Sequence, residues 1–126
     1  MNGLGLAALV GIGGSIGALL RYGIGRLTVL KGKPGYYGTL FVNVLGAFVI
    51  GLFIGLNLER EHAATYAFAG IGVLGGLTTY STLNVQKATL YRNGSKKTLV
   101  YYLALTYVGG IALTVLGVGL GDLLHT

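Results

Sequence analysis

The densest chemistry in this chain is the run Gly75-Gly76-Leu77-Thr78-Thr79-Tyr80-Ser81-Thr82-Leu83-Asn84. A glycine pair is followed by Thr78, Thr79, Ser81, Thr82 and Asn84, each with a hydroxyl or an amide, inside an otherwise apolar segment. A hydroxyl in an apolar helix can bond back to the carbonyl four residues earlier, which hides one or two such groups. This many exceed that outlet. Glycine pairs also kink helices, and a broken helix frees carbonyls and N–H groups. At membrane depth such backbone is tolerated only where protein covers it or where it lines a cavity, and breaks of this kind make ion sites. Two readings stand: a broken helix that binds ions, or a polar packing face.

Asn43 is the second signal, flanked by Val42 and Val44. Its amide carries donors and an acceptor whose burial without partners costs roughly 1–3 kcal/mol. It either joins helices or turns its NH2 group toward an anion. Thr39, one turn earlier, shares its face. Arg21 follows the Gly13-Gly14 pair and either contributes positive potential to an anion path or pins helices by bonding carbonyls, whereas Arg26 reads as a snorkelling side chain. Tyr102, Thr106 and Gly110, spaced by four, make one stripe; Tyr91 and Tyr101 suit an interfacial belt.

The elements that must carry these residues are apolar and uniform in length. Residues 35–58, 63–86 and 98–121 are uncharged runs, and residues 3–20 form a fourth that extends past Arg21 and Arg26 toward Leu30. A run of 24 residues reaches about 36 Å as a helix, enough for a hydrocarbon core of about 30 Å. The pattern predicts an all-α integral membrane protein with four transmembrane helices, over about 3–26, 35–58, 63–91 and 98–121, the third broken near its middle. The whole chain reads as a single four-helix domain. Residues 1–20 lack the basic start of a signal peptide and are kept in the mature chain.

Composition agrees. Only 10% of the residues are charged and 53% are apolar, while 24 of the 126 are glycine, against about 25% charged and about 7% glycine in ordinary globular chains. The small-x-x-x-small pairs Gly13/Gly17, Gly14/Ala18, Gly51/Gly55, Gly72/Gly76 and Gly117/Gly121 predict closely packed helices. Cysteine is absent, and two histidines with three acids suit no catalytic constellation, so the chain reads as no enzyme.

The net charge of +6 is a matter of topology and not of nucleic acid. With four spans, one side receives Arg21, Arg26, Lys31, Lys33, Lys87, Arg92, Lys96 and Lys97, and the other receives Glu59, Arg60, Glu61 and Asp122. The eight-to-one contrast in Lys and Arg predicts basic connections in the cytoplasm and both termini outside. No acid lies within a span, which argues against a proton-coupled exporter. A passive conduit for an anion remains, beside the alternative of a small structural or regulatory membrane subunit whose polar cluster serves assembly.

The motifs Gly13-Gly14-x-x-Gly17-Ala18-x-x-Arg21-Tyr22, Thr39-Leu40-x-Val42-Asn43-x-x-Gly46-x-Phe48-x-x-Gly51 and Gly75-Gly76-Leu77-Thr78-Thr79-Tyr80-Ser81-Thr82 together resemble the CrcB/Fluc family of fluoride channels. The resemblance covers essentially the whole chain. It implies four-helix subunits in an antiparallel dimer, two narrow fluoride pores along the subunit boundary, and passive export of cytoplasmic fluoride across the plasma membrane of a prokaryote. It also implies a structural sodium ion (Na+) at the dimer centre, held by the backbone carbonyls of Gly75 and Thr78 from each subunit. By the same resemblance Asn43 is the pore asparagine, Tyr102 and Thr106 belong to a polar track, and Arg21 matches the family's arginine. Thr39, Ser81 and Thr82 complete the candidate fluoride path. Tyr80 and Leu83 occupy the places of two pore phenylalanines, Asn84 and Gly110 the places of serines, and Gln86 that of a glutamate.

The charge map bears on the assembly. A chain with an eight-to-one bias inserts in one orientation, so an antiparallel dimer needs a second, oppositely biased four-helix paralogue. The expected partner is therefore such a subunit in a heterodimer, with the antiparallel homodimer as the other arrangement.

Overall fold

The computed structural model describes residues 2–125. Among them all regular structure is helical: α1 (Gly3–Leu30), α2 (Gly35–Gly55), α3 (Leu58–Glu61), α4 (Ala63–Thr65), a π-helical stretch (Tyr66–Val73), α5 (Leu74–Leu77), α6 (Ser81–Arg92) and α7 (Lys96–His125). Helices α1, α2 and α7 are each long and apolar enough to cross a membrane. The third apolar segment is helical from Ala63 to Leu77, stops, and resumes at Ser81. Its break falls where the glycine pair and hydroxyl cluster predict it.

Local chemistry explains the ends. Asn2 Oδ1 accepts the Gly5 N–H at 2.7 Å, satisfying one orphan donor of α1. Gly32 and Gly94 follow α1 and α6 with φ of +73° and +74°. There the N–H of Lys33 reaches the Thr28 carbonyl, and that of Ser95 reaches Leu90. This is the closure a left-handed glycine after a helix permits. Asn57 closes α2 in the same region, at φ 60°, so α2 stops at Gly55, short of residue 58. Residues 59–61 belong to the short helix α3. At the other end α7 starts before residue 98 and runs past 121.

Glycine decides which helices pair. Gly13 and Gly17 press α1 against the third segment, where an added Cβ would strike the backbone of Phe68 and Val73. Gly72 and Gly76 return the contact, against Gly13 and Gly14. On the other side Gly51 and Gly55 of α2 abut Thr114 and Val118, while Gly117 and Gly121 of α7 abut Phe48 and Leu52. Two reciprocal seams result, α1 with the third segment and α2 with α7. Thr114 reaches across the second, its hydroxyl shared between the Gly110 carbonyl of its own helix at 2.8 Å and the Ala47 carbonyl of α2 at 3.2 Å. Without a hydrophobic force between helices in lipid, such backbone approach is what holds them together.

The apolar core is correspondingly small. Val42, Leu74 and Leu77 meet Ile24, Val49, Ile50 and Phe53 beside the break. Leu83, Leu90 and Tyr102 form a second cluster between α6 and α7.

Candidate functional site

The break is built by a competition for N–H groups. The Thr78 N–H and hydroxyl both donate to the Leu74 carbonyl, at 3.0 and 2.9 Å. Thr78 then turns extended, with φ −78° and ψ 157°. Thr79 therefore cannot continue the helical ladder. Its N–H donates instead to Asn43 Oδ1 at 2.8 Å, and its carbonyl accepts from Asn43 Nδ2 at 2.9 Å. The side-chain amide of α2 thus stands in for a peptide group at the point where the third segment has lost one. Three residues along the same face of α2, Gly46 leaves room for the Thr78 methyl, which an added Cβ would strike. Asn43 and Gly46 together grip residues 79 and 78.

Thr79 also starts the next helix. Its hydroxyl accepts the Thr82 N–H at 3.3 Å, serving as a cap for the first turn of α6. Ser81 sits in that turn, exposed.

Two clefts flank this junction. The first, about 370 Å³ between α1, α2 and α6, gathers Arg21, Thr39, Thr79, Thr82 and Gln86. The second, about 590 Å³, gathers Asn43, Gly75, Thr78, Thr79, Tyr80 and Thr106. Thr79 lines both clefts, so the Asn43–Thr79 pair stands in the wall between them. Neither cleft has a carboxylate, and Arg21 is the formal charge in their linings. The Arg21 guanidinium, the amides of Asn43 and Gln86 and the hydroxyls of Thr82 and Tyr80 leave donors there that suit an anion, whereas the Thr78, Thr79 and Thr106 hydroxyls donate within the chain.

The remaining candidates lie around this centre. Tyr102 is only 2% exposed and lines neither cleft; its hydroxyl donates to Gln86 Oε1 at 2.8 Å, tying α7 to α6. Thr39, 7% exposed, lies against the same phenol. Thr106 donates back to the Tyr102 carbonyl at 2.7 Å, which takes its proton away from the cleft. Tyr80 is 66% exposed. Ser81 lines neither cleft. Gly75 is exposed, and an added Cβ there would meet nothing within 4 Å, in contrast to Gly76, which is pressed against Gly14 and Ala18.

Two contributors escaped the sequence reading. Thr79 acts mainly through its backbone, which no residue type advertises; the signal was Asn43 itself, an amide in an apolar helix that needed a peptide-like partner. Gln86 departs from the family's glutamate, but that departure does not mark it as the acceptor for Tyr102.

Outside the clefts, one charged contact closes the far end of the molecule. Nε2 of His125 lies 3.0 Å from both carboxylate oxygens of Glu61. That hydrogen bond holds the Glu61 carboxyl below the ordinary carboxylate value of 4.5.

Comparison with known proteins gives the family. The family described as CrcB-like protein, Camphor Resistance (CrcB), matches residues 8–118. The fluoride-specific ion channel FluC 2 of Lactobacillus delbrueckii subsp. bulgaricus is 44% identical over 118 residues, covering 91% of this chain and 97% of that protein. The fluoride-specific ion channel FluC of Thermus thermophilus is 41% identical over 119 residues, covering 92% and 94% of the two chains. FluC 2 of Lactobacillus acidophilus is 37% identical over 118 residues, covering 86% and 91%. With its motifs, its broken third segment and these relatives in agreement, this chain belongs to the CrcB/Fluc fluoride-channel family, a family of channels and not of enzymes.

Proposed function

We propose that this chain is a fluoride-selective channel subunit with four membrane crossings, one half of an antiparallel dimer through which cytoplasmic fluoride leaves passively. The observation that carries the reading is the pinned amide of Asn43. Its oxygen is occupied by the Thr79 N–H and one of its two amide protons by the Thr79 carbonyl. What it can still offer is the second N–H, a donor. The oxygen, which would repel an anion, is held away.

Fluoride is tightly hydrated, so a selective path must replace its water with donors. Arg21, Thr39, Thr82 and Gln86 on one side of Asn43, and the Tyr80 ring and hydroxyl on the other, supply a sequence of them. The Tyr80 ring rim carries partial positive charge and can face a small anion. Ser81, Tyr102 and Thr106 support this path from its margins. A negative membrane interior drives the anion outward without any coupled ion.

The residues also fit a resident sodium ion. Because the Thr79 N–H goes to Asn43, the Gly75 carbonyl loses the donor four residues on. Carbonyl oxygens are the hard ligands such a cation takes. Gly75 and Thr78 would hold it together with the same pair from a second subunit. Bound there, it offsets the carbonyl dipoles beside the anion path.

The break from Leu77 to Ser81 lets the segment from Ala63 to Arg92 serve as the remaining crossing. The cytoplasmic basic connections and the external termini follow from the distribution of Lys and Arg, and the plasma membrane location follows from the family. The same bias favours a heterodimer with an oppositely oriented paralogue. Reconstituted alone, the chain should leave vesicles tight, and co-expression with such a paralogue should open them. Robust efflux from the lone chain, with crosslinks of an antiparallel homodimer, would reject the heterodimer.

The pore role is tested with Asn43→Asp, which keeps an oxygen for the Thr79 N–H but replaces the donor with a carboxylate oxygen. Fluoride efflux from proteoliposomes, read with a fluoride electrode, should fall to the leak of empty vesicles while size-exclusion elution is unchanged. Efflux at the unsubstituted level would remove Asn43 from the path. Absence of fluoride efflux from the assembled, unsubstituted channel would favour a structural subunit.

A further inference from the structure

Lys87 has a place that the fluoride path as described does not use. It stands two turns beyond Tyr80 on α6 and is half-buried. Its Nζ lies 5.9 Å from the centroid of the Tyr80 ring and 6.0 Å from that of Tyr107 on α7. Both distances are within the reach of a cation–π contact, about 6 Å. Glu59, Glu61 and Asp122, the chain's three acids, lie in α3 and at the end of α7. Among the described residues no carboxylate pairs with Lys87. A half-buried ammonium with two aromatic faces and no carboxylate beside it is held by the rings.

Tyr80 lines the cleft shared with Asn43 and Thr78, yet most of its surface is free of the rest of the chain. A ring that exposed samples several orientations and presents its negative face as readily as its positive rim. An ammonium over one face changes this. It occupies the negative side of the quadrupole, draws electron density from the rim, and adds a full positive charge nearby. We propose that Lys87 is a positioning residue for anion passage: through Tyr80 and Tyr107 it clamps the Tyr80 ring, so that an anion in the cleft meets the rim and hydroxyl of Tyr80 and not its face. The inference rests on the fluoride-channel reading and adds a residue to it.

Proteoliposomes carrying the assembled channel test it, with a second readout independent of flux. Lys87→Gln should lower fluoride efflux roughly three- to tenfold, the range an ordinary cation–π contact covers, and Lys87→Arg should restore it. In a Tyr80→Leu background Lys87→Gln should have no further effect. The 19F resonance of 3-fluorotyrosine placed at position 80 should shift in Lys87→Gln and return in Lys87→Arg. If Tyr80→Leu itself abolishes efflux, the arginine rescue and the resonance decide. Unchanged efflux in Lys87→Gln, equal losses in both backgrounds, or a resonance indifferent to Lys87 would each overturn the clamp. An unsubstituted channel without fluoride efflux but with a Lys87-dependent resonance would overturn the conduction reading, and with it this role in passage, while leaving the ring contact in place.

Discussion

The side-chain amide of Asn43 and the backbone of Thr79 are hydrogen-bonded in both directions, at 2.8 and 2.9 Å. One residue of α2 thereby satisfies the N–H and the carbonyl that the third segment leaves open when its helix stops. The same pairing stabilises the break, orients the amide toward donation, and separates the two clefts. Structure and proposed conduction are coupled through this single contact, which sets apart the variants that probe each.

Asn43→Leu removes both bonds and leaves the Thr79 N–H and carbonyl without their partner. An unsatisfied buried group costs about 1–3 kcal/mol, so this variant should melt well below the unsubstituted chain in detergent. Asn43→Asp keeps the acceptor for the Thr79 N–H but sets a carboxylate oxygen against the Thr79 carbonyl, so it too should lower the melting temperature while losing conduction. Thermal melts followed by circular dichroism compare the two. Equal melting of the leucine variant and the unsubstituted chain would contradict the role of the pair in holding the break.

The glycine seams make a sharper contrast. Gly17→Ala places a methyl onto the backbone of Val73, and Gly55→Ala places one onto that of Val118. Neither backbone can yield as a flexible side chain would, and overpacking of this kind costs about 1–3 kcal/mol. At Gly119 nothing lies within 4 Å of an added Cβ. Gly119→Ala should therefore be neutral, or stabilising by up to about 1 kcal/mol through helix propensity. Melting of the three variants side by side checks the order.

The buried phenol of Tyr102 depends on Gln86. Gln86→Leu removes the acceptor of the Tyr102 hydroxyl and leaves it only Thr39, which should cost up to about 1–3 kcal/mol. Gln86→Glu keeps an acceptor at that place but puts a negative charge into the cleft that Arg21 lines. It should preserve the fold better than the leucine variant and slow fluoride entry. Parallel melting and efflux measurements separate the two effects, and a glutamate variant that conducts faster would contradict the electrostatic reading of that cleft.

The pair at the far end has a defined pH dependence. Its hydrogen bond to His125 lowers the Glu61 pKa below 4.5, so the folded chain holds that proton less tightly than the unfolded chain does. The contribution is fully present above 4.5 and is lost as the pH falls through the lower, folded value. The pair is exposed, so the effect is small. The melting difference between the unsubstituted chain and Glu61→Gln should be measurable near pH 6 and should vanish as the pH falls through the lowered Glu61 value. A difference that grows on acidification would reverse the assignment.

Much of this molecule was legible in the residues. The lengths of the apolar runs, the break after Gly75-Gly76 and the donor-rich, acid-poor character of the interior follow from hydrophobicity, glycine and charge, which act locally along the chain. The boundaries were less so. Asn57 ends α2 early because a left-handed residue there closes the helix, and residues 59–61 wind up because the chain continues directly into a short turn.

What only the tertiary structure decided is which glycine meets which helix and which polar group meets which partner. Gly13, Gly17, Gly72 and Gly76 read as separate motifs but form one seam; Gly75, beside Gly76, belongs to none. Thr79 carried no special expectation and proved to be the residue Asn43 holds. Tyr102 turned inward to Gln86, and Lys87, counted only as a charge on one side, lies between two tyrosine rings. The physical reason is common to all of these. A residue's type fixes which bonds it can make and how closely a backbone can approach it, but in a helical bundle the partner comes from another segment, and its identity exists only once the helices have packed.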